Sequence, residues 1–212
     1  MTDAWNGSPL HAFFIWCKII GAMEGTLFKL HLSTNEIEAK IADVLASPKN
    51  SGTLEMIVRR PEENKREVVD SGFLSVENGL VGDNWLIRGS SRTDNGLGHP
   101  EMQLNLMNWR FINLIAGSRE RVQLAGDQLF VDLDLSPANI PPGTQLSIGD
   151  AVIEITPIPH LGCKKFVERF GIDAMKYANS DFGREHNLRG VNAKVVTAGD
   201  ITANDTVRIR TR

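Results

Sequence analysis

The segment Pro157-Ile158-Pro159-His160-Leu161-Gly162-Cys163-Lys164-Lys165-Phe166 concentrates the residue types that can do chemistry. Two prolines end a strand-like run, and Phe166, Val167 and Phe170 then recur at helical spacing until Gly171. That pattern predicts a short helix with Cys163 at or next to its start. Free N–H groups and the positive end of the helix dipole favour a thiolate there, and Lys164, Lys165, Arg169 and His160 add positive potential, the histidine only in part at neutral pH. A thiolate can bind a soft metal, carry a persulfide or attack an electrophile. The opposite reading is a free cysteine packed as a small buried hydrophobe, and these residues alone leave both open. His160 also reads as a core histidine or a hairpin hydrogen-bonder, because no second histidine stands at ligand spacing. Asp132 and Asp134 share one strand face, which reads as a solvated outer surface.

What is missing narrows the chemistry further. There is no HExxH, no GxSxG, no phosphate loop and no GxGxxG, which removes the main signatures of zincins, serine hydrolases, P-loop and Rossmann enzymes. The two cysteines, Cys17 and Cys163, lie far apart, so neither a disulfide framework nor a structural zinc site is expected. The 212 residues are 42% hydrophobic and 23% charged with a net charge of −3, enough to bury one good core in a single domain. An excess of acid over base without a basic run argues against a general nucleic-acid binder. Leu10 to Ala22 is the most apolar stretch, yet it falls short of the roughly 20 apolar residues that a membrane-spanning helix needs. It also lacks the flanks of a secretory signal, so the expected location is the cytoplasm and no membrane partner is expected. Residues 1–22 read as an apolar extension, either upstream of a true start at Met23 or packed on the core or on a partner. Residues 23–212 read as one domain.

The elements that must position Cys163 are mostly strands. Gly25 to Leu32 reads as a strand; Ser33 and Glu36 then form a capping box before Ile37, Ile41, Val44 and Leu45 at helical spacing, up to Ser47-Pro48. Leu54, Ile57 and Val58 mark a strand, followed by a charged turn from Arg60 to Lys65. Gly79 to Pro100 is a long polar loop of the kind that is more often functional than idle. Met102 to Met107 returns to a strand, and Asn108 is placed to cap a helix holding Phe111, Ile112 and Ile115. Gln128 to Leu135 alternates, and Leu146 to Thr156 folds back at Gly149-Asp150. Val191–Val196 and Thr206–Ile209 are expected to form a closing pair joined by Gly199-Asp200. Short strands with Gly and Pro turns, few short helices and no βαβ rhythm predict a mainly β, Greek-key or barrel-like domain.

Six segments in order resemble one family. They are Gly79-Leu80-Val81-Gly82-Asp83, Gln103-Leu104-Asn105-Leu106-Met107-Asn108, Ala125-Gly126-Asp127-Gln128-Leu129, Pro142-Gly143-Thr144 with Ile148-Gly149, His160-Leu161-Gly162-Cys163, and Arg189-Gly190-Val191-Asn192-Ala193-Lys194-Val195. Together they resemble the MOSC domain, named for the carboxy-terminal domain of molybdenum cofactor sulfurases, over about Ser51 to Ile209. The chain departs from the family pattern at Gly126-Asp127-Gln128, where many members have Gly-Glu-Asn, and at Asn204-Asp205 in place of Gly-Asp.

The resemblance implies a barrel-like β domain that binds a molybdopterin-type molybdenum cofactor, with Cys163 ligating molybdenum or transferring sulfur to it. By motif position it places Gly82, Asp83, Arg88, Asn105, His160, Lys165 and Arg189 around the cofactor. Some family members reduce N-hydroxylated small molecules with electrons from a separate donor protein; others work with a cysteine desulfurase. Any pyridoxal phosphate would act only through such a separate partner. The resemblance thus implies a small molybdenum oxidoreductase or a sulfur carrier, against a non-catalytic module that stores the cofactor and a degenerate domain whose cysteine is structural. It says nothing of oligomeric state.

Overall fold

The computed structural model describes residues 31–210. Cys17, the extension over residues 1–22 and most of the strand expected over Gly25–Leu32 lie outside the described residues.

The strands are β1 (Ser51–Arg59), β2 (Glu67–Val69), β3 (Ser71–Ser75), β4 (Gly79–Leu80), β5 (Leu104–Asn108), β6 (Leu129–Asp132), β7 (Gln145–Ile148), β8 (Ala151–Pro159), β9 (Val191–Thr197), β10 (Gly199–Thr202) and β11 (Thr206–Ile209). Seven of them close a barrel in the order β1-β6-β5-β9-β8-β7-β11, with β11 returning to β1 through the register Ser51 to Arg208. The fold is therefore mainly β, as expected. The second half of β1 carries β2 on its other partner-free stretch, and β10, β3 and β4 form a small separate sheet.

Burial follows strand parity. On β6, Leu129 and Val131 lie in the barrel interior while Phe130 faces the helices. On β1, Leu54 and Ile57 share the interior although they are three positions apart, an odd offset that would put them on opposite faces. A bulge between Leu54 and Met56 supplies the extra residue, and beyond it Met56 and Val58 turn outward to the helical layer.

Helices cover that outer wall. Ser33 and Glu36 make the expected capping box, with Glu36 Oε2 accepting the Ser33 backbone N–H at 2.8 Å. The helix it opens is broken at Lys40 into α1 (Thr34–Glu38) and α2 (Ile41–Leu45). The polar loop folds into β4, α3 (Trp85–Arg88) and turns. Asn108 caps α4 (Trp109–Ala116) by accepting Phe111 N–H at 2.9 Å. Next come α5 (Arg119–Val122), α6 (Lys164–Phe170), α7 (Ile172–Asn179) and α8 (Asp181–Glu185). Phe111, Ile112, Phe166 and Phe170 pack with Met107 and Phe130 as a second core.

Three expectations are corrected. β9 and β11 do not pair: β9 is flanked by β5 and β8, β11 by β7 and β1, and Gly199-Asp200 starts β10, which pairs with β3. Nearness in sequence suggested a hairpin, but the connecting residues are themselves a strand. β5 and β6 run parallel and are joined through α4 and α5, a single βαβ unit that has no repeat to give a rhythm. Finally, Asp132 and Asp134 are not idle surface carboxylates. Asp132 pairs with Arg110 at 2.7 Å, and Asp134 accepts the Ser136 N–H at 2.9 Å.

Candidate functional site

Arg60, read from sequence as part of a charged turn, is buried at the end of β1. Its Nε and Nη2 donate to the two oxygens of Asp83 at 2.8 Å each, and its backbone N–H adds a third bond to the same carboxylate. The Asp83 carboxylate is fully buried and also accepts the Trp85 N–H, so it holds α3 to the barrel. Gly82, just before it, has φ +87°, and a Cβ there would lie 3.0 Å from the Arg59 guanidinium.

The network continues across the barrel end. Arg60 Nη1 donates to Asn105 Oδ1 on β5 at 3.2 Å; Asn105 Nδ2 donates to Asn192 Oδ1 on β9 at 2.6 Å; Asn192 Nδ2 donates to the Ile158 carbonyl on β8 at 2.9 Å. Gln128 fixes Asn105 from the side by accepting its backbone N–H at 2.9 Å. Ile158 lies two residues before His160, so the chain of bonds leads to the cysteine loop.

A second buried pair stands beside the first. Arg189 Nη1 donates to both oxygens of Asp127 at 2.9 and 2.8 Å, and its guanidinium lies 4.9 Å from the Phe166 ring centroid. His160 Nδ1 sits 3.4 Å from Asp127 Oδ1. Burial above all, with Arg189 and Arg60 adding repulsion, holds His160 well below the usual imidazole range. The ring is therefore neutral near pH 7 and does not add the positive charge expected from sequence. Burial also raises the Asp127 carboxyl, with Arg189 opposing the rise.

Cys163 is exposed and is the N-cap residue of α6. Asn179 of α7 grips the preceding peptide on both sides: its Oδ1 accepts the Gly162 N–H at 2.8 Å and its Nδ2 donates to the Gly162 carbonyl at 3.0 Å. Phe166, one turn further along α6, carries Arg189 on its ring, which ties the thiol's helix to the buried pair.

Arginines outnumber carboxylates here. The turn Leu124–Gly126 offers three successive carbonyls, and Arg169, Arg189 and Arg60 each donate to one of them at 2.6, 3.4 and 2.9 Å. Gly126, at φ +83°, lets Arg66 approach as well, since a Cβ there would lie 3.1 Å from its Nη2. Burial first, with repulsion from Arg169, Arg60 and Arg88, lowers the Arg66 guanidinium to about 10. Arg88 is lowered by burial and then by Arg60. The buried carboxylates Asp83 and Asp127 are already committed to Arg60 and Arg189, and Glu67 pairs with Arg59 at 3.0 Å. Arg66 Nε and Arg59 Nε are buried with no hydrogen-bond partner among the described residues. Such a cluster of guanidinium groups can hold an anion rich in acceptor oxygens.

Of the residues expected from sequence, Asp83, Asn105 and Arg189 are hydrogen-bonded in this network, His160 lies against Asp127 with its Nδ1 unpartnered among the described residues, Gly82 and Arg88 border it, and Cys163 opens the helix beside it. Lys165 is exposed and pairs with Glu63 at 3.2 Å, apart from the buried bonds. Sequence reading missed Arg60 and Arg66. An arginine directly after the apolar run Met56-Ile57-Val58 was the available signal, because a strand end leads into a barrel mouth.

Two solved structures share the architecture. The YuaD protein from Bacillus subtilis is 14% identical with a TM-score of 0.54, over 76% of this chain and 97% of that one. A second crystal structure, of a hypothetical protein, is 20% identical with a TM-score of 0.53, over 77% of this chain and 70% of that one. The likeness is one of fold. No family model and no curated protein matches the sequence. Among the described residues no helix is long and apolar enough to cross a membrane.

Proposed function

We propose that this chain is a MOSC-type protein that binds a molybdopterin-type molybdenum cofactor, with Cys163 as its thiolate ligand. The observation that carries the reading is the surplus of arginine beside an exposed cysteine: Arg66 and Arg88 find no free carboxylate, while both buried acids are spent on Arg60 and Arg189. The six motifs in order and the barrel fold support it. Among the described residues no three His, Cys, Asp or Glu side chains are grouped to hold a metal ion. That fits a metal which arrives with most of its ligands on an organic cofactor and takes one soft sulfur from the protein.

In this reading Arg66 and Arg88 bind the cofactor's phosphate, and Asp83 fixes Arg60 between them and the barrel. Asn179 orients the Cys163 loop. The cofactor, when bound, supplies two-electron reduction of an N-hydroxylated small molecule, with electrons from a separate donor protein. The exposure of Cys163 supports a second reading, a sulfur carrier served by a separate cysteine desulfurase, since a persulfide must be reachable by its partner.

The test is expression in a molybdenum-replete host, with metal and pterin measured in the wild type, Cys163→Ser and Arg66→Gln/Arg88→Gln. Both components are expected in the wild type. Cys163→Ser should lose molybdenum at least tenfold, and the double arginine variant should lose pterin as well. Equal, near-zero molybdenum in all three overturns the ligand reading. Cofactor retained without N-hydroxy reduction, with donor supplied, points instead to a storage module.

A further inference from the structure

A cavity of about 300 Å³ lies beneath the cysteine loop, lined by Pro159, His160, Leu161, Ala178, Arg184 and Arg189 among others. Its volume is at the small end of the range for ligand pockets. The walls from Pro159, Leu161 and Ala178 are apolar, and no Asp or Glu lines it. Arg189 is almost fully buried; its Nη1 is committed to Asp127, but its Nε has no hydrogen-bond partner among the described residues. A buried guanidinium N–H without an acceptor is costly unless something else supplies one. Arg184 is exposed and adds a second, uncommitted positive charge to the lining. His160 contributes a neutral ring and Asp127 balances Arg189, so Arg184 carries the net positive charge of the lining.

We propose that this cavity is a binding site for a small organic carboxylate, with Arg189 Nε and Arg184 donating to the carboxylate and Pro159, Leu161 and Ala178 enclosing a flat apolar body. An orphaned buried donor, a second cation, apolar walls and no competing carboxylate in the lining all favour an acid over a neutral or cationic ligand. The inference does not depend on molybdenum or on the identity of any cofactor at Cys163.

The experiment uses ligand-observed NMR on the full chain without added cofactor, with benzoate, benzamide and benzylamine as probes. Benzoate is expected to bind with a dissociation constant on the order of 1 mM, as suits a fragment of this size. Benzamide should bind at least fivefold more weakly, and benzylamine not at all. Arg184→Glu, an exposed position, should weaken benzoate at least tenfold with an unchanged melting temperature. Leu161→Trp, also exposed, should block benzoate by filling the mouth. Equal binding of benzoate and benzamide, no binding of benzoate, or undiminished binding in either variant overturns the proposal.

Discussion

Arg189 and Asp127 face each other fully inside the protein, one guanidinium nitrogen donating to both carboxylate oxygens. Taking both charges out of water is expensive, and the pair holds because each neutralises the other. Asp127→Asn therefore leaves Arg189 unbalanced and should lower unfolding stability by about 3–5 kcal/mol. Asp127→Asn combined with Arg189→Met should cost clearly less than the sum of the two single changes. Urea unfolding of the four proteins in a double-mutant cycle checks this; additive losses would mean that the pair does not act as a unit.

Cys163 gives the opposite expectation for stability. It caps α6 from an exposed position, and serine is a preferred N-cap residue. Cys163→Ser should leave stability within about 1 kcal/mol of the wild type, or slightly above it, while removing molybdenum. Thermal melting read beside metal content separates the two. A large fall in melting temperature would show the sulfur to be structural.

His160 makes stability depend on pH. Its folded value is depressed below the ordinary imidazole value, so between the two the unfolded chain binds a proton that the folded chain does not. Stability is then full above about pH 6.5 and falls as pH drops through that window, by at most ~1.4 kcal/mol per pH unit for one proton. His160→Gln should flatten that part of the stability curve. Denaturant midpoints measured from pH 7.5 down to 5 check it; identical slopes in the two proteins would remove His160 as the cause.

Arg66 and Arg88 should be readable with a simple anion. Titration with pyrophosphate is expected to show affinity that falls with salt, and Arg66→Gln or Arg88→Gln should each weaken it about tenfold, the scale of one charge-assisted hydrogen bond. Calorimetry at two ionic strengths measures both effects. Unchanged affinity in both variants would place the anion elsewhere.

Local rules were legible in the sequence and long-range ones were not. The Ser33–Glu36 box, the Asn108 cap and the helix start at Cys163 each depend on residues within one turn, so type and spacing suffice. Arg60 is different: its burial depends on Asp83, 23 positions away, and without that partner it reads as part of a solvated turn. Strand neighbours failed for the same reason, since β9 and β11 look adjacent until β5, β8, β7 and β1 compete for their edges. The six motifs carry such distant partners together: Asp83, Asn105, Asp127, His160, Arg189 and Asn192 all fall inside them, and the fold brings them to one end of the barrel.

The seam between β1 and β11 sets an order of events during synthesis. β11 leaves the ribosome after every other barrel strand, so until Thr206–Ile209 emerges the sheet is an open curl whose β1 and β7 edges lack their last partner. Unpaired edges are where nascent chains join one another by mistake. A chain stalled just short of Thr206 would hold the whole Arg60–Asp83–Asn105 network yet lack the strand that shuts the barrel. The hazard in making this protein therefore belongs to the seam.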